Sequence, residues 1–457
     1  MSFQPPYPKP HKNKSSFFLR FFRGWHSWLD VLFERSYHMK MGKISQPGMN
    51  IFMVNEPSLV RNILVKKHKE YPKHQLMHRM LEPLLGNSIF TTNGPVWERQ
   101  RRLVDMAFAQ ARLKLVFPLM LASAHDLINR LDKVADEESY EIDPEMTYVT
   151  ADIIFRTILS ESLTSNTAKE IYEAFIAFSH HAQRAMMLMI YRIPPFFSTR
   201  ASRRPAQKIR HILAEIIARR VAERAAGDLG QYNDILSGLM EAKDPVSGDS
   251  FSYEELVDQV CMLFLAGHET SASALSWSIY LISHAPALQQ QILDEINEVV
   301  GERELHIGDM KQMPIVWNTF REALRLYPPV GFFVREAANS HCLHDKQVHK
   351  GDPVLISPWL MHRHRDLWER PDDFDPSRFN TSSGKESLKC AYIPFSKGPR
   401  VCIGAGFATQ EAILILATLV RRYHIHADHS HIPKPIGRVT IRSSNGIKVR
   451  LLRRGIS

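Results

Sequence analysis

Cys402 lies in a setting that suits a metal-bound thiolate. It belongs to the stretch FSKGPRVCIGAGFA at 395–408, among glycines, basic residues and an aromatic residue. A thiolate requires backbone N–H donors, positive charge or a helix N-terminus nearby. The apolar spacing after Cys402 predicts a helix whose positive end points toward the sulfur. Because no second Cys or His follows at zinc-finger spacing, the pattern favours a metal whose other positions are filled by another group, such as a porphyrin.

Glu269 and Thr270 form a second candidate pair, in the stretch AGHET. A buried acid and alcohol beside a reacting centre can deliver protons. Gly267 weakens a helix by roughly 1 kcal/mol relative to Ala, and the Thr270 hydroxyl can reach the carbonyl of Ala266, one turn earlier. We therefore expect a kinked groove here, with His268 facing solvent or acting as a spacer.

A long helix must position this pair. The segment 253–284 has apolar residues three and four apart, with Ser252 as the predicted N-cap and Glu255 as its capping-box partner. At ~1.5 Å per residue such a helix runs about 45 to 50 Å, which is enough to cross the whole protein.

Several motifs together resemble those of a known family. The stretch around Cys402 matches the haem-binding signature F-x-x-G-x-R-x-C-x-G-x-x-x-A of cytochrome P-450 proteins at Phe395, Gly398, Arg400, Cys402, Gly404 and Ala408. The family's other motifs are matched in order by WERQRR (Trp97, Arg101), AGHET, EALR (Glu322, Arg325), YPPVGFFVRE (Arg335) and DPSRF (Arg378). The resemblance runs from about residue 36 to the C-terminus, with Ser396 standing where the family often has Gly.

The resemblance implies a haem-thiolate monooxygenase. Cys402 is then the axial ligand of haem b, and Thr270 and Glu269 are the catalytic residues that deliver protons. The remaining cofactor-binding residues implied are Trp97, Arg101, Ala266, Arg335, Phe395, Arg400 and Gly404. The Glu322, Arg325 and Arg378 set is expected to maintain the fold, because buried charges persist when they are paired and hydrogen-bonded.

The reaction implied is dioxygen activation with two electrons from a separate redox partner. One oxygen atom enters a lipophilic small organic substrate, by hydroxylation or O-dealkylation. The segments expected to line the pocket are 74–92, 180–197, 261–266, 329–333 and 441–445. In the second of these, Met186 to Ile190, Phe196 and Phe197 are apolar, and His180, His181, Arg184 and Arg192 can meet a polar end.

The fold implied is mainly α with a smaller β portion, a long central helix over the haem and a single large domain. We place that haem domain at 36–457, after a basic and aromatic segment at 1–35. Hairpins are predicted at 39–54, with a Pro-Gly turn, and around Asn445-Gly446. The aromatic and basic residues of 17–28 either pack on the body or lie on a membrane surface; no spanning anchor is evident.

Charge and cysteine usage set the remaining expectations. Four Cys at irregular spacing favour a reducing, cytoplasmic location. The net charge of +10 suits an acidic partner, although no basic run interleaved with aromatics suggests nucleic acid. We expect a monomer that docks an acidic ferredoxin or flavodoxin-like electron donor. The cations expected around that docking face are Arg99, Arg102, Lys397, Arg421 and Arg422.

Two other functions fit a thiolate haem. A peroxygenase or isomerase uses peroxide or a peroxidised substrate without redox partners, and the Glu269-Thr270 pair speaks against it. A gas or redox sensor needs an output domain, and the sequence contains no stretch for one.

Overall fold

The structure is a computed structural model that describes residues 3–12, 17–46, 49–163, 165–191, 193–227 and 232–455. The helices are α1 (Phe17–His26), α2 (Pro57–Arg61), α3 (Gln75–Leu85), α4 (Gly94–Ala107), α5 (Gln110–Leu131), α6 (Asp143–Leu159), α7 (Ser165–Ile190), α8 (Phe196–Ala225), α9 (Ile235–Glu241), α10 (Tyr253–Ser283), α11 (Pro286–Val299), α12 (Pro314–Leu326), α13 (Pro358–Met361), α14 (Ser382–Cys390) and α15 (Ala405–Arg422). The strands are β1 (Met41–Gln46), β2 (Met49–Val54), β3 (Tyr140–Glu141), β4 (Phe333–Glu336), β5 (His341–Leu343), β6 (Lys346–Val348), β7 (Pro353–Ile356), β8 (Tyr423–Ala427), β9 (Pro435–Gly437), β10 (Ile441–Ser443) and β11 (Lys448–Arg453).

The strands form small sheets at the edge of the helical body. The largest has the order β1-β2-β7-β4, in which β2 and β7 run parallel and the other neighbours are antiparallel. The predicted hairpin of β1 and β2 is confirmed, although its Pro47-Gly48 turn lies outside the described residues.

The predicted hairpin around Gly446 is wrong. Strand β10 pairs with β9, whereas β11 lies between β3 and β8. The Ser443 hydroxyl donates to the Gly446 carbonyl at 2.8 Å, and Gly446 has φ +74°, so the chain turns away between the two strands. Val449 and Leu451 of β11 are then buried in the main core. Burial against another strand outweighs the local turn signal.

Helix α10 is the central element, and it packs against α6, α8, α12 and α15. Both bonds of the predicted capping box between Ser252 and Glu255 are present. The helix is continuous through Gly267, which has a packing reason: a Cβ there would lie 2.4 Å from Ile154 Cδ1. Gly267 therefore allows α6 to approach α10 closely.

The predicted ion network is confirmed at the base of α12. Arg325 donates to both carboxylate oxygens of Glu322 at 2.8 Å, and Arg378 Nε donates to Glu322 Oε1 at 2.9 Å. All three side chains are buried. Arg325 also donates to the carbonyls of His362 and Asp373, so the network fixes the long connection after α13 onto α12.

The described N-terminal residues pack on the body of the protein. The Tyr327 hydroxyl donates to the carbonyl of Pro6 at 2.6 Å, and Tyr7 donates to Asp372 at 3.1 Å. Helix α1 lies against α7. Lys14 lies outside the described residues, as do the side chains of Phe17 and Phe18. In the described part of the chain, no helix has both the length and the apolar character that crossing a bilayer requires.

Candidate active site

A cavity of about 350 Å³ lies between α10 and the chain segment that carries Cys402. Every site residue predicted from the sequence lines it: Trp97, Arg101, Ala266, Glu269, Thr270, Arg335, Phe395, Arg400, Cys402 and Gly404. The fold therefore brings together residues from four separate parts of the sequence.

The loop around Cys402 is held in shape by backbone contacts. The Cys402 N–H donates to the Phe395 carbonyl at 2.9 Å. Gly398 has φ +77°, and a Cβ there would lie 2.3 Å from the Leu64 carbonyl oxygen, so only Gly fits. Ser396 also has a left-handed backbone, at φ 65°. That conformation explains why Gly is common at this position in the family.

The sulfur of Cys402 faces the cavity at the start of α15, for which Gly404 is the N-cap. Burial raises the pKa of the Cys402 thiol, whereas the N–H of Gly404 and the charge of Arg101 lower it, and the net direction is upward. Burial therefore outweighs the two favourable contacts in the absence of a metal. A bound metal deprotonates a coordinating thiol.

Four cations converge on one edge of the cavity: Lys73, Arg101, Arg335 and Arg400. Burial lowers the pKa of Lys73 well below its usual value, and the charges of Arg400, Arg335 and Arg101 lower it further. Burial, with a contribution from Arg400, lowers the pKa of Arg335 to about 10. The Arg400 Nε is buried without a hydrogen-bond partner among the described residues.

Trp97 organises two of these cations. The Arg400 guanidinium carbon lies 4.9 Å and the Lys73 ammonium 5.7 Å from the centre of its ring. Lys73 Nζ also donates to the carbonyls of Ile89 and Thr92, at 2.5 and 2.9 Å. Arg101 pairs with Asp105, but Lys73, Arg335 and Arg400 form no ion pair with a described carboxylate, and buried cations require an anionic partner. The two carboxylates of a haem fit this edge, and Gly404, where an added Cβ would meet no protein atom within 4 Å, leaves room beside the sulfur.

On the opposite side of the cavity, α10 presents Glu269 and Thr270. The Thr270 hydroxyl donates to the Ala266 carbonyl at 2.6 Å, as predicted. Glu269 accepts from Arg442 Nε and Nη2, both at 2.8 Å, and from the Thr440 hydroxyl at 2.7 Å. Burial raises the pKa of Glu269, but the charge and hydrogen bonds of Arg442 and the Thr440 bond lower it by more, so the net direction is downward. Glu269 is therefore an ionised carboxylate, and both of its oxygens accept hydrogen bonds.

His268 does not face solvent, contrary to the prediction. Its side chain is buried, Nδ1 lies 2.9 Å from the Phe264 carbonyl, and the ring stacks on Phe264 and meets Phe175 edge-on. Aromatic packing within α10 and from α7 therefore holds it away from the cavity.

The predicted pocket segments are only partly correct. Residues of 74–92, 261–266 and 329–333 line the cavity, but 438–440 does so in place of 441–445. Of the second segment only Met186 reaches the cavity. Phe196 and Phe197 are exposed, His180, His181 and Arg184 lie away from the lining, and Arg192 and the Ile190 side chain lie outside the described residues. Phe196 and Phe197 follow the turn after α7 and lie at the exposed start of α8.

Sequence reasoning missed Lys73 and Arg442. Lys73 belongs to no motif that we recognised, although it lies two residues after Tyr71 in a short connection before a helix. Arg442 is 173 residues from Glu269 and reaches it only through the pairing of β10 with β9. The predicted pocket segment 441–445 contains Arg442, but no sequence signal paired it with Glu269.

The cytochrome P-450 family model matches residues 5–449 of this chain. The chain belongs to the cytochrome P-450 family. Cyclooctatin synthase from Streptomyces melanosporofaciens is 31% identical over 386 residues, which cover 82% of this chain and 80% of the relative. Cytokinin hydroxylase from Arabidopsis thaliana is 28% identical (87% and 78% covered), and taurochenodeoxycholic 6 alpha-hydroxylase from Sus scrofa is 29% identical (87% and 81% covered).

A solved structure supports the fold of this cytochrome P-450. The crystal structure of the cytochrome P-450DA haem domain superposes with a TM-score of 0.83 over 99% of both chains, at 22% identity. The predicted fold, the haem with a cysteine thiolate ligand and the monooxygenase class are thereby confirmed. Among the described residues no cluster of His, Cys, Asp or Glu could hold another metal.

Proposed function

We propose that this cytochrome P-450 hydroxylates a lipophilic small molecule with electrons from a separate donor. The observation that carries the proposal is the apolar lining of the cavity on the Thr270 side. It is built from α3, α6 and α10 and includes Met77, Leu81, Ile154 and Leu263. Two of the relatives are named as hydroxylases, which supports this reaction.

When bound, the haem supplies dioxygen activation and C–H oxidation, favoured by the electron density that the thiolate donates. The chain's own residues hold the cofactor and deliver protons to the cavity. Lys73, Arg101, Arg335 and Arg400 bind the haem carboxylates. The apolar residues above Thr270 orient the substrate and exclude water.

Proton delivery is proposed to run through Thr270 Oγ1 and Glu269. The Thr270 hydroxyl faces the cavity and donates a hydrogen bond to the Ala266 carbonyl in this arrangement. It must rotate away from that carbonyl before it donates into the cavity. The ionised Glu269 next to it accepts protons and passes them on, provided that Arg442 releases one of its oxygens.

The test is a substrate screen by haem spectral shift, followed by product analysis. Thr270→Ala is expected to keep reductant consumption but release peroxide instead of product. Thr418→Ala is the matched control, because Thr418 also donates to a carbonyl one turn earlier, at 2.7 Å, but lies outside the cavity lining. Equal coupling in the two variants would remove Thr270 from the mechanism.

The electron donor is proposed to be an acidic ferredoxin or flavodoxin-like protein. Three of the cations first expected to bind it are engaged within the chain: Arg99 pairs with Glu255, Arg102 with Asp244 and Arg422 with Asp132. Such pairing reduces the charge available to a partner, so the docking surface is better placed elsewhere.

Arg61, Lys66 and Lys397 are the better candidates. Arg61 and Lys66 are exposed and form no ion pair with a described carboxylate. Arg61 precedes, and Lys66 ends, the π-helical turn Asn62–Lys66, which packs on the turn Gly398–Arg400 just before Cys402. Burial and the charge of nearby Arg61 lower the pKa of Lys397, which places these two cations close together.

Charge reversal tests this surface. Arg61→Glu and Lys66→Glu are expected to slow haem reduction by the donor, with the largest difference at low ionic strength. Lys311→Glu makes the same change of net charge at an exposed position on the turn Asp309–Gln312 and should leave the rate unchanged. Reduction rates that do not depend on Arg61 or Lys66 at any salt concentration would contradict the assignment.

A further inference from the structure

Arg438 lines the cavity where the cavity opens to solvent. It lies on the short connection between β9 and β10 and is exposed, yet it belongs to the cavity lining together with Val439 and Thr440. The Thr440 hydroxyl donates to Glu269 at 2.7 Å. The segment 438–440 therefore leads from the acid of α10 to the exterior.

Arg438 is a charged lining residue without a partner. Four other cations of the lining lie at the edge that fits the haem carboxylates, and Glu269 is paired with Arg442. Arg442, four residues after Arg438, donates to both oxygens of that acid. The Arg438 guanidinium forms no hydrogen bond or ion pair with any residue that the structure describes. Its donors are available to a ligand.

The backbone of Arg438 is held in place by the residues that follow α1. Trp28 Nε1 donates to the Arg438 carbonyl at 3.1 Å, and the N–H of Gly437 donates to Ser27 Oγ at 2.9 Å. A Cβ on Gly437 would lie 2.5 Å from Trp28 Cε2, so the indole ring covers this glycine. The position of Arg438 is thereby fixed, although its side chain has no partner.

The surroundings of Arg438 are cationic. His180 and Arg184 lie one turn apart on α7; burial lowers the pKa of His180, and the charges of Arg184 and Arg438 lower it further, which places the three side chains near one another. Arg184 Nε is buried without a hydrogen-bond partner among the described residues. The stretches 174–214 and 429–457, which carry these side chains, contain no Asp or Glu. A cleft with one sign of charge attracts ligands of the opposite sign.

The lining inward of Arg438 is apolar. Phe332 lines the cavity beside this opening, and its ring meets that of Trp28 edge-on with centroids 5.2 Å apart. Further in, apolar side chains of α3, α6 and α10 surround Thr270. A pocket that is mostly apolar fixes the orientation of its ligand through a few polar groups. One cation at the opening and an apolar interior suit a ligand with the same division.

We propose that Arg438 binds the anionic group of the substrate, which is therefore an apolar carboxylate with its hydrocarbon part directed toward Thr270. The inference rests on the proposed hydroxylase function and specifies its substrate class. A guanidinium group matches a carboxylate through two parallel N–H···O bonds. Because the charged end is held at the opening, the carbon presented for oxidation belongs to the hydrocarbon part.

Spectral titration of the haem-loaded protein tests the proposal. The probes are dodecanoate and abietate, a linear and a tricyclic carboxylate, each compared with the primary alcohol of the same skeleton. We expect the parent to bind a carboxylate more tightly than its alcohol, by a margin that shrinks as salt rises. Arg438→Gln should raise the dissociation constant of the carboxylate by about tenfold or more and leave that of the alcohol unchanged. Arg438→Lys should restore part of the loss.

Arg450→Gln is the matched control. Arg450 is exposed on β11, within the same acid-free stretch, and lies outside the cavity lining, so this variant should bind both probes as the parent does. Equal affinity of the parent for acid and alcohol, no binding of either carboxylate, or an equal loss for both classes in Arg438→Gln would overturn the proposal. Tight carboxylate binding without an oxidised product would instead contradict the proposed hydroxylase function and leave the role of Arg438 standing.

Discussion

Replacing Glu411 by Gln is expected to stabilise this cytochrome P-450 increasingly as the pH rises. Glu411 lies on α15 with a fully buried side chain, and its Oε2 accepts from the Ser271 hydroxyl at 2.5 Å. Its Oε1 is buried without a partner among the described residues. Burial raises the pKa of Glu411 to about 8, against the smaller lowering by Ser271.

The sign follows from proton binding. A carboxyl group with a raised pKa binds its proton in the folded state at pH values where the unfolded chain has already lost it. The folded protein is therefore favoured below about pH 4.5 and loses stability as the pH rises toward about 8. A pKa difference between 4.5 and about 8 corresponds to about 3 to 4 kcal/mol lost between about pH 5 and about pH 8. Gln carries no proton to lose, so the variant should escape this decline.

The assay is urea unfolding of the haem-loaded protein at the two pH values, followed by the haem absorption and by circular dichroism. The free energy of unfolding of Glu411→Gln relative to the parent should rise by about 3 to 4 kcal/mol from the lower to the higher pH. Glu302→Gln, at an exposed position, is the control for removal of one carboxyl group. An infrared difference spectrum between parent and variant should also show the C=O stretch of a protonated acid near neutral pH. A variant effect that is equal at both pH values, with no such band, would show that Glu411 is ionised and that the reasoning is wrong.

Three further predictions concern the loop, the ion network and the acid on α10. Gly398→Ala should lower haem retention and the urea midpoint more than Gly351→Ala does. Both glycines have positive φ (77° and 85°), but only a Cβ at 398 would meet a carbonyl oxygen. Haem content and urea unfolding curves of the two variants test this. Arg325→Met leaves Glu322 buried without its main partner and should cost about 3 to 5 kcal/mol, seen as loss of folded, haem-containing protein; an unchanged unfolding midpoint would contradict it. Arg442→Met should raise the pKa of Glu269, since burial then prevails over the remaining contacts, and should move the pH profile of product coupling to higher pH; an unshifted profile would show that Arg442 does not control this acid.

Local sequence signals were sufficient where the structure depends on neighbours in the chain. The capping box at Ser252, the Thr270 bond to Ala266 and the helix after Cys402 involve residues at most four positions apart or one continuous apolar pattern. The resemblance to a family then indicated which distant segments meet at the cavity. That is why the predicted lining residues are found together.

The sequence was insufficient where a contact with a residue distant in the chain determines the environment of a side chain. The sequence shows no partner for Glu269, but in the structure Arg442 and Thr440 donate hydrogen bonds to its two oxygens. His268 was predicted to face solvent, but its ring packs against the rings of Phe264 and Phe175. Each outcome depends on tertiary packing that no local pattern contains.

The cations of this chain show why net charge is a poor guide to a docking face. The value of +10 suggested an acidic electron donor. The excess lies in 1–29 and 174–214, which contain twelve Lys and Arg and no acidic residue, whereas the remaining chain has 46 Lys and Arg against 48 Asp and Glu. Four further cations lie at the edge of the cavity, where they are proposed to hold the haem carboxylates. Since Arg99, Arg102 and Arg422 are paired internally, the proposed recognition of the donor depends on few charges near Cys402. Because so few charges take part, the rate of haem reduction by the donor should depend only weakly on salt concentration.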